Sequence, residues 1–306
     1  MTEEWRPSIP RVVDAYGKSW TPEEVERDPG RVHRDGLRCA GCGVEATWQA
    51  AHTKVERRTG QPVDVHLHFK LKRHGSEHGA ACPFDFHRRA TDLVRAFPDI
   101  VRRRSGAYQL RLPLSSMPDG SDPRPGSRRS APDLGPGAGQ VLSAALRILL
   151  LLENFADQPR AQEQFRAQYG DLADIGWGDF CWRANTSGRA QELVDELRRP
   201  ERQVYPIAVW GLARPPVTNG TGTQYVTLTH TRQGQTAARI RARGPEVLSS
   251  YSAAQLQGQA RHVIGYGEWR AALLGDRRRG AIQADDREAA VEAVLWVHHP
   301  SAVAWW

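Results

Sequence analysis

Arg38-Cys39-Ala40-Gly41-Cys42 is answered further along the chain by His74-Gly75-Ser76-Glu77-His78-Gly79-Ala80-Ala81-Cys82. These two stretches decide what the N-terminal part of the protein is. They hold three of the four cysteines. A Cys-x2-Cys turn puts two thiolates on one knuckle, and a His-x3-Cys pair downstream closes a tetrahedral site of the Cys3His type. The ligand set this predicts is Cys39, Cys42, His78 and Cys82 around a structural Zn2+. His74 is the alternative to His78, because both sit in the same polar, glycine-bearing loop. The competing reading makes Cys39 and Cys42 a redox pair or plain reduced thiols. No βαβ pattern flanks them, however, and redox chemistry leaves the returning His and Cys unexplained. A closed four-ligand site stabilises a small lobe and offers no open position to a catalytic water. Cys181 stands alone and is expected to be a buried small hydrophobe.

Working outward, the chain has 306 residues and a net charge of +7, with a pI near 9.5, enough for two or three domains. Arginine supplies nearly all of the positive charge, since the lysines are Lys18, Lys54, Lys70 and Lys72. A basic balance with clustered Arg is the footprint of a nucleic-acid binder. No apolar run reaches membrane-spanning length, and Met1-Thr2-Glu3-Glu4 does not begin a signal peptide. With three cysteines in a metal pattern rather than a disulfide framework, the expectation is a cytoplasmic protein without a membrane partner.

Residues 1 to about 35 are polar and read as a partly ordered arm, with Trp5 and Trp20 among charges and a short helix starting after Thr21. Thr47 to Val55 and Val63 to Leu71 read as two strands around Arg57-Arg58-Thr59-Gly60-Gln61. In the second, His66, His68 and Lys70 share one face, and Val65, Leu67 and Phe69 the other. The two histidines are expected to be solvated rather than ligating. Cys39-x2-Cys42, His68-Phe69 in an aromatic strand, and Ser76-Glu77-His78 with Cys82-Pro83 together resemble the zinc-finger-like N-terminal lobe of bacterial competence CoiA-like proteins. The resemblance covers about residues 36 to 87. In that family the lobe precedes a nuclease core that needs paired carboxylates and usually a lysine. No lysine follows Lys72 here, so the nuclease half is not carried over.

His87 to Leu114 predicts a basic helix through Ala90, Leu93, Val94 and Phe97, then a strand through Tyr108, Leu110, Leu112 and Leu114, completing a first domain at 1–114. Arg88, Arg89, Arg95, Arg102, Arg103 and Arg104 are either phosphate contacts or a solvated face. Ser115 to Gly139, dense in Pro, Gly, Ser and Asp, is a flexible linker. A helical connector over 140–203 follows, with an apolar helix face from Val141 to Phe155, a second helical stretch at Arg160 to Tyr169, core aromatics between Ile175 and Trp182, and a helix from Gly188 to Arg198.

From Tyr205 the periodicity becomes two. Strands are expected at Tyr205 to Leu212, Tyr225 to Thr229, Ala238 to Arg243, Ala260 to Trp269 and Ala293 to His298, with a helix or loop at Pro245 to Gln257. That order fits an OB-like β-barrel over 204–306. The fold class is therefore α+β: a zinc-ribbon-like N-terminal lobe, a helical connector and a C-terminal OB-like β-barrel. An open barrel face carries single-stranded nucleic acid by stacking bases on aromatics and neutralising phosphates. The candidate contacts are Trp210, Tyr225, Arg239, Arg241, Arg243, Tyr266 and Trp269.

Catalytic motifs are absent from the sequence: no Gly-x4-Gly-Lys loop, no Gly-x-Ser-x-Gly elbow, no His-Glu-x2-His pair. Asp285, Asp286 and Glu288 form an acidic cluster that the helix macrodipole explains as well as Mg2+ does. The expected function is an accessory protein binding single-stranded or locally opened DNA in repair, recombination, uptake or defence against foreign DNA. The alternatives are a protein-interaction adaptor anchored by the tail Pro300 to Trp306, and a divergent nuclease. The tail tryptophans Trp305 and Trp306 are expected to be buried, against this chain or against a partner.

Overall fold

The hairpin expected between the two cysteine turns forms in the computed structural model, which describes residues 7–55, 60–72, 77–113, 137–155, 159–170, 173–199, 205–220, 222–228, 236–242, 245–256, 262–273, 291–297 and 299–306. Strand Ala46–Gln49 pairs with His68–Leu71, and His52–Val55 with Pro62–Val65. Both ladders keep one register, from Ala46↔Leu71 through Gln49↔His68 to His52↔Val65, so they are one hairpin interrupted at 50–51 and 66–67. The alternation also holds: Leu67 and Phe69 are buried, while His66 and Lys70 are exposed.

The chain is mixed α+β with several sheets, and it divides into two compact units. The first comprises Met1–Asp92 with Leu149–Ala161, the second Leu93–Ile148 with Gln162–Trp306.

In the first unit, residues 7 to 35 are not an arm. Val12–Val13 pairs with Ser19–Trp20 on one side and with Arg38–Cys39 on the other. Ile9, Val12, Trp20, Val25 and Leu37 are buried in one cluster with Cys39, Phe69 and Cys82. Trp20 is placed by its polar end, since its Nε1 donates to Asp14 Oδ2 at 2.8 Å. This hydrogen bond is the main reason that the Asp14 carboxyl is held below the usual carboxylate range, with the backbone N–H groups of Lys18 and Tyr16 adding to it. The helix expected after Thr21 is Pro22–Arg27, closed by a reciprocal cap in which Thr21 Oγ1 accepts from Glu24 N and Glu24 Oε2 accepts from Thr21 N. Trp5 lies outside the described residues.

In the second unit, Val101–Arg104 and Ala107–Leu112 form a hairpin over the two-residue turn Ser105-Gly106, where both φ angles are positive (50° and 85°). Ala107–Leu112 then pairs in parallel with Phe165–Tyr169, which pairs with Ala173–Gly176. The segment expected to close a first domain at 114 is thereby tied to residues beyond the expected linker, most of which lies outside the described residues. A second difference is Phe165–Tyr169, a strand preceded by the short helix Pro159–Glu163 rather than the end of a longer helix. Phe165 and Tyr169 are four apart, a spacing that fits one helical turn and two strand repeats equally. The partly exposed Arg166 and Gln168, alternating with buried Phe165 and Ala167, decide for the strand. The helices expected at 140–155 and 188–198 are Ala138–Glu153 and Ser187–Arg198, the latter capped by Thr186. The connector is thus mixed helix and strand.

Its aromatics are core, as expected. Tyr108, Phe165, Trp177, Phe180 and Tyr266 follow one another at ring separations of 5.4, 6.0, 5.5 and 6.2 Å. Cys181 is buried beside them, and burial pushes its thiol pKa up, as expected of an inert small hydrophobe.

The C-terminal strands make two sheets. One runs Cys181–Arg183, Ile207–Leu212, His262–Gly267, Val303–Trp305; the other Val217–Thr218, Gln224–Thr227, Ala237–Ala242, Val291–Val297, Trp269–Leu273. They share two chain runs, because Ile207–Leu212 leads through the non-strand residues 213–216 into Val217–Thr218, and His262–Gly267 passes through Glu268 into Trp269–Leu273. Helix Pro245–Leu256 connects Ala237–Ala242 to His262–Gly267. Val209, Val226, Ile240, Val263 and Leu295 belong to a single buried cluster.

Candidate functional site

The first cysteine turn is shaped by its backbone. Cys39 N donates to Val44 O at 2.8 Å, while Cys42 N and Gly43 N both donate to Cys39 O at 3.3 and 2.8 Å, with Gly43 at a φ of 74°. The turn points both sulfurs inward. The second is built just before helix Phe86–Ala96: Cys82 N donates to Gly79 O at 2.9 Å, and the Arg89 guanidinium donates to the carbonyls of Cys82 and Ala81 at 3.1 and 2.6 Å. Here His78 and Cys82 face the first pair.

Cys39, Cys42, His78 and Cys82 lie close enough to hold a metal ion, with all four donor atoms within 4.8 Å of one another. Cys39 Sγ is 3.7 Å from Cys82 Sγ, and His78 Nδ1 is 3.5 Å from Cys42 Sγ and 3.3 Å from Cys82 Sγ. The cradle has no spare room. A Cβ at Gly41 would fall 2.8 Å from Pro83 Cδ and 3.0 Å from both Cys82 Sγ and Phe84 Cδ2, and one at Gly79 would fall 3.2 Å from Cys42 Cβ. His66 and His68 are not among the four, and His74 lies outside the described residues.

This crowding perturbs His78, Cys42 and Cys82. The Cys39 sulfur at its ring is the main reason that the His78 pKa is raised to about 9, against an opposing effect of burial. Burial would push the Cys42 thiol up, but the backbone N–H groups of Val44 and Gly79 together with His78 bring it down to about 6. Cys82, with burial dominant and sulfur neighbours adding to it, is pushed up to about 12. Metal binding requires the thiols and the imidazole to give up their protons, so a cation at this site would compete with protonation.

The candidate nucleic-acid contacts are divided by the fold. Trp210, Tyr266 and Trp269 are 5, 0 and 3 % exposed. Their rings pack inside the second unit and cannot offer faces to bases, which corrects the expectation that they supply stacking platforms. Arg243 lies outside the described residues, as do Asp285, Asp286 and Glu288. Tyr225, Arg239 and Arg241 do share a face. Across three strands Tyr225 sits opposite Arg241 and Arg241 opposite Trp296, with Thr227, Arg239 and Val294 in the next row. The Arg239 guanidinium is 5.3 Å from the Tyr225 ring centre, and that of Arg241 5.6 Å from the ring of Trp296.

The sequence reading missed Glu292, which stood at the end of a charged insertion. It is fully buried and accepts ion pairs from Arg239 at 2.7 Å and from Arg241. The arginine row is thus partly neutralised and held in place. Strand parity alone would have placed Glu292, Val294 and Trp296 on one face.

The C-terminal tail is engaged by its own chain. Val303–Trp305 pairs with Val263 to Gly265, and Trp306 exchanges backbone hydrogen bonds with His262 at 3.0 and 3.1 Å. The Trp306 ring stacks on His262 at 5.2 Å and meets Trp210 at 5.9 Å. The tail is an edge strand, not a free anchor. No helix among the described residues is long and apolar enough to cross a membrane. Comparison of the chain with protein-family models, with curated proteins and with solved structures finds no match.

Proposed function

We propose that this chain is a zinc-stabilised nucleic-acid-binding protein that takes a single strand across the face bearing Tyr225, Arg241 and Trp296. The observation that carries the reading is that row itself: two half-buried rings flank a guanidinium in register on three adjacent strands. Rings supply stacking surfaces for bases of any sequence, and the arginines supply charge for the backbone between them. Arg239 and Arg241 keep 24 and 31 % of their side-chain surface exposed despite Glu292, so they remain open to a phosphate.

Three further arguments support it. Zinc sits about 2.3 Å from sulfur and about 2.0–2.1 Å from nitrogen, so tetrahedral geometry sets S···S edges of about 3.8 Å and S···N edges of about 3.6 Å. The observed 3.7, 3.5 and 3.3 Å lie near those lengths. Three thiolates and an imidazole in a closed set suit zinc in a structural role. Followed through the two shared runs, the strand pairings are compatible with the order first, second, third, fifth, fourth, first of an OB-type barrel with a helix between the third and fourth strands, which supports that reading. The resemblance of residues 36–87 to the N-terminal lobe of CoiA-like proteins adds support for a role in the handling of foreign or damaged DNA.

The test is a fluorescence titration of oligothymidine against the full chain and a Tyr225→Ala/Trp296→Ala variant, at two salt concentrations. Loss of stacking should weaken binding by about 1–3 kcal/mol per base. The wild-type salt slope should be about 0.7 for each phosphate neutralised. Wild-type protein that binds no oligonucleotide, or a variant that binds as tightly, contradicts the reading.

A further inference from the structure

The sheet Val101–Arg104, Ala107–Leu112, Phe165–Tyr169 has one apolar side, where Tyr108, Leu110, Phe165 and Ala167 are buried. Its other side is cationic. Arg102 lies opposite Gln109, and Gln168 opposite Arg111, so that Arg102, Arg104, Arg111 and Gln168 all project to the side away from that core. They do not project onto a flat surface. They line a cleft of about 600 Å³ together with Asp99 and Gln140, within the size range of ligand pockets. Gly137, Gln140 and Val141, at the start of helix Ala138–Glu153, line the same space.

An ordinary solvated arginine face is neutralised by nearby carboxylates, as Arg166 is on this same sheet by Asp174 at 2.7 Å. The cleft is different. Arg102 is fixed by uncharged partners, donating to Gln109 Oε1 at 3.3 Å and to Gln168 Oε1 at 2.6 Å, so among the described residues its charge has no carboxylate partner. The side chains of Arg104 and Arg111 have no hydrogen-bond or ion-pair partner among the described residues, and Asp99 is the sole carboxylate among the lining residues described. Three guanidinium groups around a recess favour a multiply charged oxyanion, and their planar forks match phosphate oxygens.

We propose that this cleft binds a phosphate-bearing anion of nucleotide size, held by Arg102, Arg104 and Arg111. Arg102 is preorganised by the two glutamines, while Arg104 reaches the ligand from the edge strand and Arg111 from the strand beside it. The site is separate from the Tyr225–Trp296 row and does not depend on it. Its phosphate comes either from a free nucleotide-like molecule or from a nucleic-acid backbone.

The experiment is calorimetric titration of inorganic pyrophosphate and of oligothymidine into the full chain and into Arg104→Gln/Arg111→Gln. Both side chains are exposed, and unchanged thermal unfolding of the variant verifies that the fold is intact. Affinity should fall by about tenfold or more, the effect of losing charged hydrogen bonds. A control removing equal charge elsewhere, Arg189→Gln/Arg198→Gln, should retain binding. Pyrophosphate bound by the wild type and lost in the cleft variant supports the site with a free ligand. Oligonucleotide alone behaving so supports it with a nucleic-acid backbone. The Tyr225→Ala/Trp296→Ala variant should bind pyrophosphate like the wild type, which separates failure of the strand-binding face from failure of the cleft. Wild-type protein that binds neither probe, or an equal loss in the charge control, overturns the proposal.

Discussion

Gly41 is the residue on which the cysteine turns depend most closely. A methyl group there meets Pro83, Cys82 Sγ and Phe84 at 2.8 to 3.0 Å, on the opposite turn. Gly41→Ala should therefore force the two turns apart, costing about 1–3 kcal/mol as overpacking does, and should weaken metal retention against a competing chelator. Gly30→Ala is the control, since nothing lies within 4 Å of its Cβ, and it should change stability by no more than about 0.5 kcal/mol. Equal metal retention in both variants would remove Gly41 from the account. At this scale the ligand spacing was legible because Cys-x2-Cys and His-x3-Cys are local patterns, each held in one turn. The partner of Arg239 and Arg241 was not, because Glu292 is distant in sequence and meets them only through parallel pairing of Ala237–Ala242 with Val291–Val297. Exposure of Trp210, Tyr266 and Trp269 was equally illegible. Strand alternation tells which residues share a face but not which face is covered.

Among the elements, the terminal strand Val303–Trp305 has the clearest energetic role. It extends the sheet from His262–Gly267, while Trp305 packs against the buried cluster and Trp306 covers Trp210 and His262. Deleting Ala304 to Trp306 should destabilise the second unit by about 2–4 kcal/mol, less than a fully buried Trp truncation because the site is terminal. Denaturant unfolding monitored by far-ultraviolet circular dichroism measures it, and an unchanged midpoint would show that the strand contributes no stability. Helices with long apolar stripes and strands with clean alternation were legible at this scale. Phe165–Tyr169 was not, since its aromatic pair satisfies both periods and its neighbour, Ala107–Leu112, is chosen only by the tertiary fold. The two-residue strands Val12–Val13 and Ser19–Trp20 are too short to show any period, which is why the N-terminal segment read as an arm.

For the whole molecule, the mixed α+β class followed from the change in periodicity along the chain, but the division into units did not. Composition marks Ser115 to Gly139 as a break, yet parallel pairing of Ala107–Leu112 with Phe165–Tyr169 joins the segments on either side of it. The buried cluster around Val209 and Ile240 contains no residue of the metal lobe. Cys39→Ser or Cys82→Ser should accordingly unfold the first unit while the second keeps its cooperative transition, because loss of the proposed structural zinc would remove the folding energy of the lobe built on it. The most direct measurement is the metal content of the freshly purified chain, by elemental analysis, before and after Cys82→Ser. About one Zn2+ per chain in the wild type, on the rule that four ligands hold one ion, and essentially none in the variant is the expected result. Wild-type protein that is folded and free of zinc would contradict the account.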